Sequence, residues 1–282
     1  MYCASSVILI NACGSRQVIW WCKMLKLVKT RALVLRSFRF GEKDRILTLL
    51  SPELGKISAK APGACTIKSK LSAGVEPLTV ASFLLHRGKS MYTVSQLEVK
   101  QTNAKVRESI FDYALGLYLA ELVEKTVEEG EACPAIYRLL ANSWHLLNEQ
   151  KGDREILARC FELKMLDLLG YRPYLEGCIF CGNIKGRFFW SKSIGGIFCE
   201  TCSKDRACSP LSGGALAFLR SFLSLPIRKI ANMRAPLEQK KELEKILQGY
   251  FSYWTGIHSF KTLDFLRKIN NKGDNELHKM PN

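Results

Sequence analysis

Four cysteines constrain this chain more than any other feature. Two residues separate Cys178 from Cys181, seventeen follow, and Cys199 and Cys202 repeat the first spacing. Two thiolates in one tight turn grip one edge of a tetrahedron about 2.3 Å from a metal, and a second turn brought alongside supplies the opposite edge. Gly182, just after the first pair, can relax the backbone of its turn. Arg187 to Ser191 and Ile197-Phe198 read as strands, with Gly195-Gly196 between them. Segment 171–210 therefore reads as a zinc ribbon. Four thiolates leave no open coordination position, so the zinc is structural rather than catalytic. An iron–sulfur cluster is a rival reading. A thioredoxin-like redox pair is another, but it needs one C-x-x-C at a strand-to-helix start. The remaining seven of eleven cysteines are scattered. A disulfide scaffold would be shorter and would carry an export signal, so a reducing cytoplasm is the expected compartment.

Upstream of the ribbon, Lys26 to Lys100 reads as five strands: Arg31 to Phe38, Arg45 to Leu50, Lys56 to Ala61, Leu78 to His86 and Met91 to Val99. The third alternates polar and apolar residues, as a half-buried strand does. Polar or glycine-bearing turns at Gly41-Glu42-Lys43-Asp44, Ser51 to Gly55 and Arg87 to Ser90 separate several of them, and Pro62 to Gly74 is a longer loop. Five short strands in so small a span remove their edges most economically by closing, which suits an OB-type barrel; an SH3-like barrel is the alternative. From Ala104 the period turns helical, with stripes Val106, Ile110, Tyr113, Leu117, Ala120 and Phe111, Leu115, Tyr118, Leu122. Two stripes imply a helix buried on more than one side, ended by Gly130. Further helices are expected over Pro134 to Glu149, Arg154 to Leu169, Ser212 to Leu223, Leu237 to Trp254 and Ser259 to Ile269. The fold class is thus α+β and multidomain: a small N-terminal β-barrel (OB-fold) over 24–103, then an α-helical domain over 104–269 with the ribbon inserted.

Both ends need separate handling. Val7 to Ile10 is a poor export segment, and no run approaches the 18 apolar residues that a membrane helix needs. Residues 1–23 read as a disordered extension or a mis-assigned start ahead of Met24, and polar 270–282 as a disordered tail.

Charge suggests the partner. The net charge is +16, which favours an anion such as nucleic acid or an acidic membrane surface. The excess is concentrated: 25–103 holds 14 basic and 5 acidic residues, whereas 104–170 holds 8 and 12. Small barrels bind single strands through a basic groove and aromatic platforms. The candidate contacts are Arg36, Lys43, Arg45, Lys60, Lys68, Lys70, Arg87 and Lys89. Phe38, Phe40 and Tyr92 are candidate stacking rings, although Phe38 and Tyr92 equally suit a core. Catalytic signatures are missing. Arg87-Gly88-Lys89-Ser90 resembles the end of a P-loop, but Phe83 stands where its first glycine belongs. No G-x-G-x-x-G, G-x-S-x-G, H-x-E or H-E-x-x-H is present among residues that include only His86, His145, His258 and His278. The reading is of a binding protein that breaks no bond.

Several motifs resemble one family. Leu33-Val34-Leu35-Arg36, Gly41 to Thr48 (GEKDRILT) and Gly55 to Ala64 (GKISAKAPGA) are similar to the opening of the bacterial recombination mediator and DNA repair family RecO. Leu169 to Pro173 (LGYRP), the cysteine quartet, Gly195 to Cys199 (GGIFC) and Pro210-Leu211-Ser212 resemble its later half. The likeness spans about Leu25 to Ile269, and its motifs occur in order and at matching distances. It implies an OB barrel followed by a helical domain with a zinc ribbon. It also implies binding of single- and double-stranded DNA, strand annealing without ATP and loading of RecA onto coated single strands. The implied partners are RecR, the acidic C-terminal tail of single-strand-binding protein and, indirectly, RecA, with no membrane. A DNA-binding role in the cytoplasm would make the protein nucleoid-associated. Two other classes stay open: a zinc-ribbon accessory factor of transcription or translation that binds RNA or polymerase, and a nuclease or ligase-like enzyme without a recognised motif.

Overall fold

The structure is a computed structural model that describes residues 27–150, 152–230 and 232–277. The readings of 1–23 and of 278–282 lie outside the described residues. The first five strands are β1 (Leu27–Phe40), β2 (Asp44–Ser51), β3 (Gly55–Ala61), β4 (Val80–Arg87) and β5 (Tyr92–Gln101). They close into a barrel in the order β1-β2-β3-β5-β4. β1 serves two neighbours: Leu27 to Leu33 pair with β4, and Leu33 to Phe40 with β2. A register shift between Val34 and Arg36 bends it from one to the other, as a bulge does at a barrel corner. β3 and β5 pair in parallel through Ala59↔Tyr92 and Lys60↔Thr93. This topology is the OB-fold expected from the sequence. Small inward residues (Ala32, Ala59, Ala61, Ala81) leave room for Phe83, Leu47 and Leu85 in a closed apolar interior.

Behind the barrel, a 3₁₀ turn at Ala104–Glu108 precedes α1 (Ile110–Thr126). The sequence predicts one helix from Ala104. The break arises because Asn103 adopts φ 50° and Ser109 caps the new helix, its Oγ accepting from the Asp112 N–H at 3.2 Å. α1 also stops before Gly130, the expected terminator. Gly130 instead takes φ 79° in the following loop and donates its N–H to the Lys56 carbonyl at 2.9 Å. Next come α2 (Pro134–Asn148) and α3 (Arg154–Leu168), the latter capped by Asp153.

The cysteine-bearing segment forms β6 (Tyr174–Cys178), β7 (Phe188–Ser191), β8 (Gly196–Cys199), the short α4 (Glu200–Ser203) and β9 (Ser209–Leu211). Its sheet order is β6-β8-β7-β9. Then follow α5 (Gly213–Ser224), α6 (Ile227–Ile230), α7 (Leu237–Thr255) and α8 (Lys261–Leu277). α8 therefore runs past Ile269, where the sequence places a disordered tail from 270. Each added residue gains one backbone hydrogen bond once a helix is nucleated, and no proline interrupts the chain before Pro281.

Two separate cores result. The barrel interior is one. The other runs through the helices and into the ribbon, where Phe188, Trp190, Ile197 and Phe198 join Leu219, Phe222, Leu247 and Tyr250. The ribbon is seated by the Tyr250 hydroxyl on the Tyr171 carbonyl at 3.0 Å and by Arg220 on the Leu175 carbonyl at 2.9 Å. The barrel is seated at Leu78, which is fully buried, packs toward Gly116 and holds φ 66°. No helix among the described residues is long and apolar enough to cross a membrane.

Candidate metal centre and nucleic-acid interface

The ribbon brings its four cysteines together. Cys178 ends β6 and Cys199 ends β8, strands that run in parallel side by side. Cys181 sits in the turn closed by the Gly182 N–H on the Cys178 carbonyl at 2.8 Å, with Gly182 at φ 74°. Cys202 lies in α4, one turn past Cys199. All four sulfurs fall within 4.8 Å of one another, and Cys181 and Cys199 are 3.6 Å apart. A tetrahedron of bonds about 2.3 Å long has edges of about 3.8 Å, so the cluster has the size of a four-thiolate cage.

Its electrostatics are asymmetric. Burial opposes the Cys178 thiolate, but N–H groups of Cys181, Cys199 and Phe180 outweigh it and bring the pKa down to about 6. The Cys202 N–H also lowers Cys199. Burial and the neighbouring thiols push Cys202 up to about 12. Metal ligation requires thiolates, so binding of a cation is coupled to release of protons from the quartet. The donors fit a soft or borderline ion with tetrahedral preference and can hold it as a cross-link.

The candidate DNA contacts fall into two groups. On the outer face of the barrel, Arg36, Thr48 and Ser58 form one row across β1, β2 and β3, and Phe38, Ile46 and Lys60 form the next. Phe38 and Phe40 are 42% and 51% exposed, so both rings present surface for stacking. Arg36 lies 5.5 Å from the Phe38 ring centroid and Lys60 lies 5.6 Å from that of Phe40. Tyr92 instead packs against the barrel interior. Three candidate cations on β1, β2 and β3 are each paired: Arg36 with Glu124 at 3.4 Å, Arg45 with Glu76 at 2.9 Å and Lys60 with Asp44 at 2.9 Å. Arg45 also donates to the Ser37 hydroxyl at 3.1 Å and is largely covered. Asp44 is held below the usual carboxylate range by the Gly63 N–H first and then by Lys60.

The second group sits on loops. Lys43 lies in the β1–β2 hairpin, Lys68 and Lys70 in the β3–β4 loop, and Arg87 and Lys89 at the β4–β5 turn. All five are exposed. Among the described residues, Lys68, Lys70, Arg87 and Lys89 form no ion pair. The loops converge on one rim. The Cys65 N–H bonds the Lys43 carbonyl at 2.9 Å, joining the first two. The chain of neighbours Arg87↔Tyr92↔Ala59 brings the third to the end of β3.

One feature of the helical body is not legible in the sequence. A pocket of about 410 Å³ opens between α1, α3, α7 and α8, with Phe111, Leu115, Leu263 and Leu266 in its apolar lining and five cations (Arg154, Arg159, Lys240, Lys241, Arg267) and two acids (Glu155, Glu244) around it. At its base, Tyr118 donates to Glu162 at 2.6 Å and Arg159 pairs with the same carboxylate at 3.0 Å. Burial pushes the Glu162 carboxyl up, against the pull of Arg159. Arg159 Nη1 is buried without a hydrogen-bond partner.

A closed five-stranded barrel set on a helical body with a four-cysteine ribbon defines a multidomain protein whose exposed cationic loops gather on one rim. Residues 24–103 match the family model described as recombination protein O N terminal, and residues 107–264 match recombination protein O C terminal. The chain is 40% identical over 232 residues to DNA repair protein RecO of Pelotomaculum thermopropionicum, covering 81% of this chain and 90% of that protein. It is 31% identical over 245 residues to that of Alkaliphilus metalliredigens, covering 86% and 100%. For Bacillus pumilus the identity is 33% over 244 residues, covering 86% and 94%. The chain belongs to the RecO family of DNA repair proteins, a family of recombination proteins and not a class of enzymes.

Proposed function

We propose that this protein is a recombination mediator that binds single- and double-stranded DNA, anneals complementary strands without ATP and helps load RecA onto coated single strands. One observation carries the DNA-binding part: three cationic loops meet at one rim of the barrel beside two exposed aromatic rings. Annealing requires two like-charged strands to approach, and a concentrated positive surface screens that repulsion. Lys43, Lys68, Lys70, Arg87 and Lys89 would engage phosphates, Phe38 and Phe40 would stack on bases, and Arg36, Arg45 and Lys60 would join from the strands. The units doing this are the barrel over 24–103 and the helical domain over 104–269, with the ribbon over 171–210.

The metal in this reading is zinc, held by Cys178, Cys181, Cys199 and Cys202. When bound it supplies a structural cross-link and no reaction step. RecR and the acidic C-terminal tail of single-strand-binding protein are the proposed partners, with RecA engaged indirectly. Support for the tail comes from the helical pocket, where Arg154, Arg159, Lys240, Lys241 and Arg267 outnumber Glu155 and Glu244 and stand beside apolar Phe111, Leu115, Leu263 and Leu266, a lining that suits an acidic peptide with an apolar end. On this reading the protein works in the cytoplasm, associated with the nucleoid, where thiols stay reduced.

The deciding experiment is annealing of complementary strands coated with single-strand-binding protein, without ATP. Acceleration by the wild type is the expected result, and none would overturn the function. Reversing Lys68 and Lys70 to Glu should weaken single-strand binding without changing sequence preference. Losing two phosphate contacts should also flatten the log–log salt slope by about 1.4. An unchanged slope would remove these loops from the interface.

A further inference from the structure

The proposed track has an acidic end, built by residues far from the barrel in sequence. After α1 the chain runs along the edge of β3 that β5 leaves uncovered. Lys56 and Glu129 form an isolated parallel bridge, and the Gly130 N–H bonds the Lys56 carbonyl at 2.9 Å. Gly55, at φ 68°, lies so close that a Cβ there would stand 1.9 Å from the Glu131 carbonyl oxygen. Lys56 Nζ bonds the Glu124 carbonyl at 2.6 Å. This backbone docking fixes where two carboxylates go. Glu124 reaches Arg36 at 3.4 Å, and Glu129 accepts from the Ser58 hydroxyl at 3.4 Å. Arg36, Thr48 and Ser58 are one row of the barrel face, so the two acids bracket that row at both ends. Glu128 and Glu131 add exposed charge beside them. Phe38 and Lys60 lie one row nearer the cationic rim, and Phe40 one further.

We propose that Glu124 and Glu129 are specificity determinants: they compete with phosphate for Arg36, end the nucleic-acid track at the barrel–helix junction and favour a single strand over a duplex. A single strand can run from the loops across Phe40 and Phe38 and stop short of the acids. A duplex on the same track carries a second phosphate backbone, which the bracketing carboxylates repel. This inference rests on the barrel reading given above.

The test uses Glu124→Gln and Glu129→Gln together in the full-length protein. Glutamine keeps an oxygen for Ser58, and the Lys56 contact is to backbone, so charge changes while the docking bonds remain. Affinities for a fluorescent single strand and for the matching duplex are measured at low salt. Exposed charge pairs are worth up to about 1 kcal/mol, so duplex affinity should rise about two- to fivefold and single-strand affinity less. Adding Arg36→Gln should abolish most of the gain from Glu124→Gln. Glu200→Gln with Glu238→Gln, on the ribbon and on α7, controls for net charge. An unchanged duplex-to-single-strand ratio, or an equal shift from the control pair, would overturn the proposal. A Lys68→Glu, Lys70→Glu variant run in parallel separates the failures. If it binds as the wild type does, the barrel track itself is wrong; if it binds poorly while the Gln pair is silent, only the acidic end is.

Discussion

Two helix glycines look alike in the sequence and differ in the structure. A Cβ on Gly116 would stand 2.5 Å from Leu78 Cδ2, whereas one on Gly249 would meet nothing within 4 Å. Leu78 cannot easily retreat. Its N–H bonds the Val34 carbonyl at 3.1 Å, and its own carbonyl accepts from Asn103 Nδ2 at 2.7 Å. Its left-handed φ of 66° also shows a side chain held where only glycine is at ease. Gly116→Ala should therefore destabilise the protein by about 1–3 kcal/mol through overpacking. Gly249→Ala should stabilise it by roughly 0.5–1 kcal/mol, since alanine costs less backbone entropy in a helix. Urea midpoints of the two variants, moving in opposite directions, check this. The cysteine quartet, by contrast, was readable residue by residue, because ligand spacing within a knuckle is a local property. The ion pairs were not: Arg36 and Glu124 are 88 positions apart, and no pattern within a strand or helix announces such a partner.

At the scale of elements, alternation along β3 and helical periodicity along α1 are set by which face meets the core, so both were legible. Junctions were not. Gly130 has the look of a helix terminator, yet the Val127 N–H already closes the helix on the Val123 carbonyl at 3.0 Å, and the glycine serves the contact with β3 instead. The start of α8 is another junction. Glu121 on α1 accepts from the N–H groups of Lys261 and Thr262 at 3.2 and 3.0 Å, doing across space what an N-cap does locally. Burial tends to raise the Glu121 carboxyl, but Thr262 and Lys125 prevail and hold it below its usual 4.5. A carboxyl lowered by folding adds stability above its unfolded pKa and loses it as pH falls through the folded value. Glu121→Gln should thus cost about 1 kcal/mol at pH 7, modest because the group is partly solvated. The gap between wild type and variant should close as the pH drops through 4 and below. A gap independent of pH would mean that the hydrogen-bond geometry matters and the charge does not.

The whole molecule is organised by its two cores. The barrel interior is a closed set of residues, while the ribbon shares its apolar side chains with the helices. Metal binding at four cysteines contributes directly to folding of whatever surrounds them, because the assembled site does not exist in the unfolded chain. Loss of the metal should then be felt in the helical body, through Phe188, Trp190 and Ile197 against Tyr250 and Leu247. It should be felt less in the barrel interior, a separate core, than in the helical core, which the barrel joins through Leu33, Leu35, Leu50, Leu78 and Val80. Chelation at neutral pH, or Cys178→Ser with Cys181→Ser, should lower the Tm of the main thermal transition. Single-strand affinity at a temperature below that transition should stay within about twofold of the wild type. Annealing of coated strands should suffer more than binding of naked ones, since the proposed pocket for the acidic tail lies among α1, α3, α7 and α8. Were naked-strand affinity to fall in step with the Tm, the barrel could not be folding on its own interior alone, and its contact with the helical body would have to be what holds its binding rim in shape.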